Sequence, residues 1–195
     1  FYGKLYSSEE IVTVEVNVER AMNGFSIEMW AQEPELYEVA VVSPAGERIS
    51  RIPASRESRQ EYRLALQGTK FSVDYQIVGN LSANQLIFLR FERPSKGVWK
   101  ILVYPKNFVY GMFHMWLPIS AFLESPVYFL SSSPDTTLTI PGTARVPMTV
   151  GGYNDADGAL FLSSGRGYTF SGAVKPDFAA PAVDIESAGG QMYTG

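Results

Sequence analysis

Apolar and polar side chains alternate through most of the first 118 residues. Val12, Val14, Val16 and Val18 share one parity, and Thr13, Glu15, Asn17 and Glu19 the other. That is the period of a half-buried strand. Phe25, Ile27 and Met29 alternate with Ser26, Glu28 and Trp30. Tyr37, Val39 and Val41 repeat the pattern, as do Tyr62, Leu64 and Leu66, then Phe71, Val73, Tyr75 and Ile77. Leu86 to Phe91 is apolar at both parities, which suits a central strand. Val98 to Tyr104 and Phe108 to Leu117 complete the set. Turn formers separate the runs at Asn23-Gly24, Pro44-Ala45-Gly46, Gly79-Asn80 and Lys96-Gly97. About eight short strands without a helix predict a mainly β chain, folded as two sheets face to face in a jelly-roll-like β-sandwich. Val14, Val16, Ile27, Val39, Leu64, Val73, Phe88 and Ile101 are its expected core.

The texture changes near Leu117-Pro118-Ile119. Ser131-Ser132-Ser133-Pro134 reads as a linker or surface loop. Val146 to Val150 reads as a buried strand, Asp155-Ala156-Asp157-Gly158 as a hairpin turn, and Ala159 to Ser163 as a further strand. A Gly-rich stretch follows from Gly165 to Gly172. The expected division is 1–128 for the sandwich and 129–195 for a second, smaller part.

Composition narrows the chemistry. Of 195 residues 46% are hydrophobic, enough for a packed core, which excludes a disordered chain. Sixteen Lys and Arg against twenty Asp and Glu give a net charge of −4, which does not suit a nucleic-acid reader. No apolar run reaches the roughly 20 residues of a membrane helix. The expected partners include neither nucleic acid nor membrane. Cysteine is absent, so disulfides, thiolate metal sites and a Cys nucleophile are excluded. The chain begins at Phe1 and shows no signal peptide, so a processed product or a cut-out piece is expected. His114 is the single histidine. A Ser-His-Asp triad needs a His base, but His114 lies on a predicted strand without an evident partner and reads as a packed or solvent-facing strand residue. Glu9, Glu10, Glu33, Glu35 and Glu38 read as solvated loop carboxylates rather than a glycosidase pair. Asp155 to Gly158 lacks the later bidentate Glu of a calcium loop. The aromatic residues read as core rather than a sugar platform. The sequon Asn80-Leu81-Ser82 carries no weight. No metal and no cofactor is expected.

The C-terminal third carries a resemblance. Leu162-Ser163-Ser164-Gly165-Arg166-Gly167, followed by Val174-Lys175-Pro176-Asp177-Phe178-Ala179-Ala180-Pro181-Ala182-Val183-Asp184-Ile185, resembles subtilisin-like serine proteases in order and spacing. In that family a Ser-Ser-Arg-Gly-like turn precedes a Lys-Pro-Asp-x-x-Ala-Pro-Gly-Val-like segment. A loop then leads to Gly-Thr-Ser, whose Ser is the nucleophile. Here the loop is Glu186 to Thr194, and Gly195 matches the Gly of Gly-Thr-Ser. Gly165 within the turn and Ala182 in place of Gly depart from the pattern. The second departure bears on the backbone path, since Gly permits a positive φ that Ala resists. Phe1-Tyr2-Gly3-Lys4, Phe25 to Trp30, Gly97 to Ile101, His114 to Pro118, Thr136 to Ala144 and Thr149 to Asn154 resemble the clostridial Csp-type germination proteases and related bacterial subtilases. Those proteins carry a jelly roll inserted in the protease domain.

The resemblance implies that residues 1–128 are the inserted sandwich and 129–195 a partial α/β subtilase segment ending just before the nucleophile. No catalytic residue then lies in this chain. The Ser-His-Asp triad and oxyanion Asn fall outside it, and the segment itself is structural or regulatory and inactive. Thr139, Ile140, Pro141 and Gly142 approach the substrate-side wall of the primary specificity pocket. Lys175, Pro176 and Asp177 shape the turn that delivers the nucleophile loop. The implied partner is a protein or peptide substrate of the parent enzyme, and the implied setting a secreted or spore-associated bacterial protein. Strands cut off from their neighbours in 129–195 predict a homo-oligomer through that segment. Two other readings stay open: a non-enzymatic β-sandwich binding module, and a segment of a degenerate regulatory pseudoprotease.

Overall fold

The structure, a computed structural model, describes residues 1–54, 59–78 and 84–195. The turn at Gly79-Asn80 and the sequon at Asn80 lie outside the described residues. The chain divides into two compact units, Phe1–Ser132 and Ser133–Gly195. Among the described residues there is no α-helix, only one 3-10 turn at Ser120–Phe122. The fold is mainly β.

Among the described residues the first unit contains eleven strands: β1 (Tyr2–Lys4), β2 (Val12–Val18), β3 (Gly24–Ala31), β4 (Leu36–Val42), β5 (Arg48–Ile52), β6 (Gln60–Leu64), β7 (Thr69–Val78), β8 (Asn84–Glu92), β9 (Gly97–Asn107), β10 (Met112–Trp116) and β11 (Val127–Phe129). One sheet has the order β1-β10-β3-β8-β7-β6, the other β11-β2-β9-β4-β5. Setting aside β6, β7 and β11, β1-β10-β3-β8 lies in one sheet and β2-β9-β4-β5 in the other. Strands adjacent in sequence thus tend to lie in opposite sheets, the interleaved order of a jelly-roll-like sandwich. The expected boundary at 128/129 falls inside β11, whose Val127 and Phe129 pair with Val18 and Val16 of β2.

Alternation explains the core. Val14, Val16 and Val18 of β2, Trp99, Ile101 and Val103 of β9, and Val39 and Val41 of β4 meet Ile27 and Met29 of β3, Phe71 and Val73 of β7, and Leu89 and Phe91 of β8 in one buried cluster. Phe91 stacks on Phe25 at 4.6 Å and meets the edge of Trp99 at 5.3 Å. Trp99 satisfies its indole N–H on the Ser95 carbonyl at 3.0 Å, so its ring is buried without an orphaned donor.

Several expectations change. Phe88 is not core: β8 turns Ile87, Leu89 and Phe91 inward and leaves Phe88 half-buried on the outer face, with Arg90 over its ring at 4.2 Å. A strand apolar at both parities does not reveal its own phase. Phe91 pairs with both Phe25 and Phe71, and that aromatic layer sets it. Leu66 lies exposed in the turn after β6, and Ile77 is exposed on the far half of β7. The strand expected over Phe108 to Leu117 covers only Met112 to Trp116. In the second unit, Val146 to Val150 is not a buried strand. Only Val150 is in β12 (Val150–Tyr153), and Val146 and Met148 are 91% and 80% exposed.

The carboxylates change most. Glu35 and Glu38 are buried rather than solvated. Glu35 Oε1 accepts three successive backbone amides, from Val109 at 3.0 Å, Tyr110, and Gly111 at 2.9 Å. Its Oε2 accepts the Tyr37 hydroxyl at 2.8 Å. The carboxylate thus does for the 109–111 loop what a neighbouring strand would do. Gly111 completes the arrangement. It has φ +73°, and a Cβ there would stand 2.2 Å from the Leu5 carbonyl oxygen. Burial alone would raise the Glu38 pKa. The Ala54 amide at 3.0 Å, Lys106 at 3.1 Å and Arg51 at 2.7 Å outweigh it and hold the carboxyl below its ordinary range.

Candidate functional site

The second unit is small and polar at its centre. β12 pairs in parallel with β13 (Phe178–Pro181), matching Val150 with Phe178 and Tyr153 with Pro181. Asn154 to Ala159 closes a turn: the Asn154 amide bonds the Ala159 carbonyl at 2.8 Å, and Gly158 bonds Asn154 at 2.8 Å. The Asp157 carboxylate accepts the Ala159 amide at 2.9 Å, so it serves the turn itself. The strand expected over Ala159 to Ser163 is reduced to a single bridge between Leu160 and Tyr153.

The Ser163 to Gly167 segment runs beside Asp135 to Leu138. The Thr137 amide bonds the Arg166 carbonyl at 2.9 Å, and the Arg166 amide returns to Thr137 Oγ1 at 2.9 Å. Ser164 Oγ accepts the Gly152 amide at 2.9 Å. Ala182, the departure from the Gly of the resemblance, lies outside the positive-φ set, and Asp184 takes the left-handed turn with φ +52°. A methyl at 182 is accommodated by Gly152, where a Cβ would lie 2.8 Å from the Ala182 Cβ. The two positions are complementary: one methyl fits, two do not. Gly152→Ala is therefore expected to destabilise the β12–β13 pair by about 1–3 kcal/mol through overpacking. Hydrogen exchange at the Ala182 amide, which bonds the Tyr153 carbonyl at 2.8 Å, reads the loss. Unchanged exchange would show that the methyls move apart at no cost.

Two features carry the candidate chemistry. The first is the Thr139 to Gly142 turn. Thr139, Ile140 and Pro141 are exposed, Ile140 at 86%, and Gly142 is half-buried beneath them. The turn closes through the Thr143 amide to the Thr139 carbonyl at 3.3 Å and the Ala144 amide to the Pro141 carbonyl at 2.9 Å. Thr149 Oγ1 donates to the Gly142 carbonyl at 2.6 Å. The second is the stretch expected as a loop over Glu186 to Thr194. It is a hairpin of β14 (Ile185–Glu186) and β15 (Met192–Tyr193), closed by the Ser187 amide on Gln191 and by Gly190 at φ +74°. The hairpin returns the chain so that the Gly195 amide bonds the Ala182 carbonyl at 2.9 Å.

Lys175 and Asp177, which the resemblance gives with Pro176 as shaping the turn that delivers the nucleophile loop, bond to the far end of the 139–149 segment. Lys175 Nζ donates to the Pro147 carbonyl at 2.7 Å and to Asp177 Oδ2 at 2.6 Å. Asp177 Oδ2 also accepts the Thr149 amide at 2.7 Å. The Lys175 ammonium, with the Thr149 amide, holds the Asp177 carboxyl below the usual carboxylate range. Lys175 and Asp177 were visible in the Lys-Pro-Asp motif. Thr149 stood out only within the Thr149 to Asn154 resemblance, and nothing in the sequence tied it to Asp177.

His114 lies in β10 of the first unit, opposite Trp30 of β3 and Tyr2 of β1. It is buried, with the Tyr2 ring at 5.1 Å. Among the described residues no group of three or more His, Asp or Glu is placed to hold a metal ion. Arg59, Glu61, Lys70 and Glu92 line a shallow groove at the β6 edge, where Arg59 reaches Glu61 at 3.3 Å and Glu92 at 3.4 Å, and Lys70 reaches Glu92 at 3.7 Å.

No protein-family model and no curated protein sequence matches the chain. Among solved structures, the CspB protease of Clostridium perfringens is similar over 100% of this chain, with a TM-score of 0.83 and 25% sequence identity. The chain spans 41% of the length of that protease.

Proposed function

We propose that the chain is a segment of a subtilisin-like serine endopeptidase, with residues 1–132 an inserted jelly-roll-like sandwich and 133–195 part of the protease domain. The observation that carries this is the similarity of the whole chain, both units together, to a clostridial protease more than twice its length. Peptide-bond hydrolysis would use a Ser nucleophile, a His base and an orienting Asp, all supplied by polypeptide outside this segment. Within the segment, Thr139, Ile140, Pro141 and Gly142 form a wall of the pocket that receives the substrate residue before the scissile bond. The 185–193 hairpin fixes Gly195 against Ala182, immediately ahead of the serine. His114 has no part in the chemistry, being fixed in a sheet of the first unit.

The exposed Val146, Met148, Leu162 and Val174 support the idea that residues 133–195 belong to a larger body. Leaving each large apolar side chain unburied forgoes roughly 1.5–3 kcal/mol. In the isolated chain that surface is expected to meet a second copy. Light scattering reads this, and a strict monomer would overturn it. The binding-module reading finds less support: in the groove at the β6 edge, Arg59, Glu61, Lys70 and Glu92 pair with one another.

The isolated chain is expected to hydrolyse no peptide or ester substrate. The polypeptide encoded by the uninterrupted reading frame is expected to cleave peptides and to lose that activity to a serine-directed inhibitor. Hydrolysis by the isolated chain that disappears in His114→Gln would overturn the proposal, and so would an inert complete polypeptide.

A further inference from the structure

We infer that Lys175 is a positioning residue for the Thr139–Gly142 turn, its buried ammonium acting as an internal cation that fixes where the turn stands. The inference rests on the protease reading for the turn's purpose, and on this chain's hydrogen bonds alone for the lock itself.

Within this chain the turn is not held by apolar packing. Ile140, Val146 and Met148 all point into solvent, and Thr139, Pro141 and Arg145 are exposed as well. An eleven-residue surface segment with so little burial has chiefly polar contacts to oppose its conformational entropy. Those contacts converge on one residue. Thr149 donates its amide to Asp177 Oδ2 at 2.7 Å and accepts the Asp177 amide on its carbonyl at 2.8 Å. Its hydroxyl donates to the Gly142 carbonyl at 2.6 Å. Thr149 therefore ties the turn to Asp177.

Asp177 is fixed in turn by Lys175. The side chain of Asp177 is partly exposed, whereas that of Lys175 is only 7% exposed. Lysine is almost never fully buried unless paired. Here the ammonium bridges Asp177 Oδ2 at 2.6 Å and the Pro147 carbonyl at 2.7 Å. It thereby grips the 139–149 segment near its end while orienting the carboxylate that grips Thr149. An uncharged side chain at 175 would leave the Pro147 carbonyl without this donor and Asp177 without its counter-charge. A methionine fills similar volume but offers no donor. An arginine keeps the charge and its donors, though with planar geometry.

In this chain, Lys175→Met is expected to speed hydrogen exchange at the Thr143, Ala144 and Thr149 amides by about tenfold, as expected for loss of a charged hydrogen bond. Amides of the first unit should keep their protection, and Lys175→Arg should restore much of it in the second. Unchanged exchange in Lys175→Met would overturn the lock. Loss of protection throughout the second unit in both variants would also overturn it, since Lys175 would then act as a general prop. In the complete polypeptide, Lys175→Met is expected to raise KM by about tenfold across peptides that differ at the residue before the scissile bond, with kcat little changed. Wild-type cleavage with an unaltered KM in the variant would overturn the substrate role and leave the protease reading standing. Absence of wild-type cleavage would overturn the protease reading and the substrate role with it, while the exchange result would still decide the lock.

Discussion

Glu35→Ala is expected to lower the stability of the sandwich by about 3–5 kcal/mol, because it leaves several buried donors unsatisfied at about 1–3 kcal/mol each. Glu35 is 2% exposed. Its carboxylate accepts the amides of Val109, Tyr110 and Gly111 and the hydroxyl of Tyr37. Deleting it orphans three donors in a loop that precedes β10, and β10 joins β1 to β3. The loop cannot relax freely, because the Gly111 carbonyl also holds the Leu5 amide at 2.7 Å. Burial pushes the Tyr37 phenol far up in pKa, and its bond to Glu35 adds to that, so the phenol remains a donor wherever the chain is folded. Glu35→Gln keeps one acceptor oxygen and should lose less than Glu35→Ala. Urea unfolding followed on the first unit measures both. A loss below about 1 kcal/mol in Glu35→Ala would show that water replaces the carboxylate without cost, contrary to the ordinary penalty for buried unpaired amides.

The second large effect is a dependence on pH between 6.5 and 4. Burial lowers the His114 pKa to about 4. In the unfolded chain the imidazole titrates near 6.5. Between these values the unfolded state binds more protons than the folded one. Stability therefore falls as pH drops from 6.5 towards 4 and falls no further through this group below that. The loss is about 3 kcal/mol by linkage. His114→Gln should lose most of this dependence between pH 6.5 and 5, above the range in which the carboxylates begin to contribute. Equal slopes for the two proteins would show that the imidazole gains water or a counter-charge when it protonates. Glu38 acts lower on the scale. Its depressed pKa contributes stability above the ordinary Glu range, and that contribution is lost as pH falls through the folded value.

Much of the fold was legible because one face of each sheet is buried. Val14, Val16 and Ile27 alternate with polar neighbours and all face the core. The signal failed where that condition failed. Phe88 sits on a strand apolar at both parities. β1, only Tyr2 to Lys4, and β5, with two isoleucines among Arg and Ser, are too short or too polar to show a period. They exist because β10 and β4 present edges to them. Val146 to Val150 failed in the opposite sense: an apolar run reads as buried, yet burial needs a partner, and within its unit there is none for Val146 or Met148.

The candidate site was legible in outline only. The Lys-Pro-Asp motif and the Thr139 to Gly142 stretch stood out through their resemblance to a family. Their connection through Thr149 did not, since it spans 28 residues between Thr149 and Asp177. Glu35 shows the same limit across 76 residues to Gly111. A Glu beside Pro34 reads as a solvated turn until its partners are known. Local pattern reports which side chains want burial. It does not report where a buried charge finds its donors.

In the proposed serine endopeptidase the nucleophile closely follows Gly195. The most direct measurement is labelling of the complete polypeptide with a fluorophosphonate, followed by mass spectrometry of the labelled peptide. One label is expected, on a serine two residues beyond Gly195, abolished by denaturation. No label, or a label on a serine within residues 1–195, would contradict it.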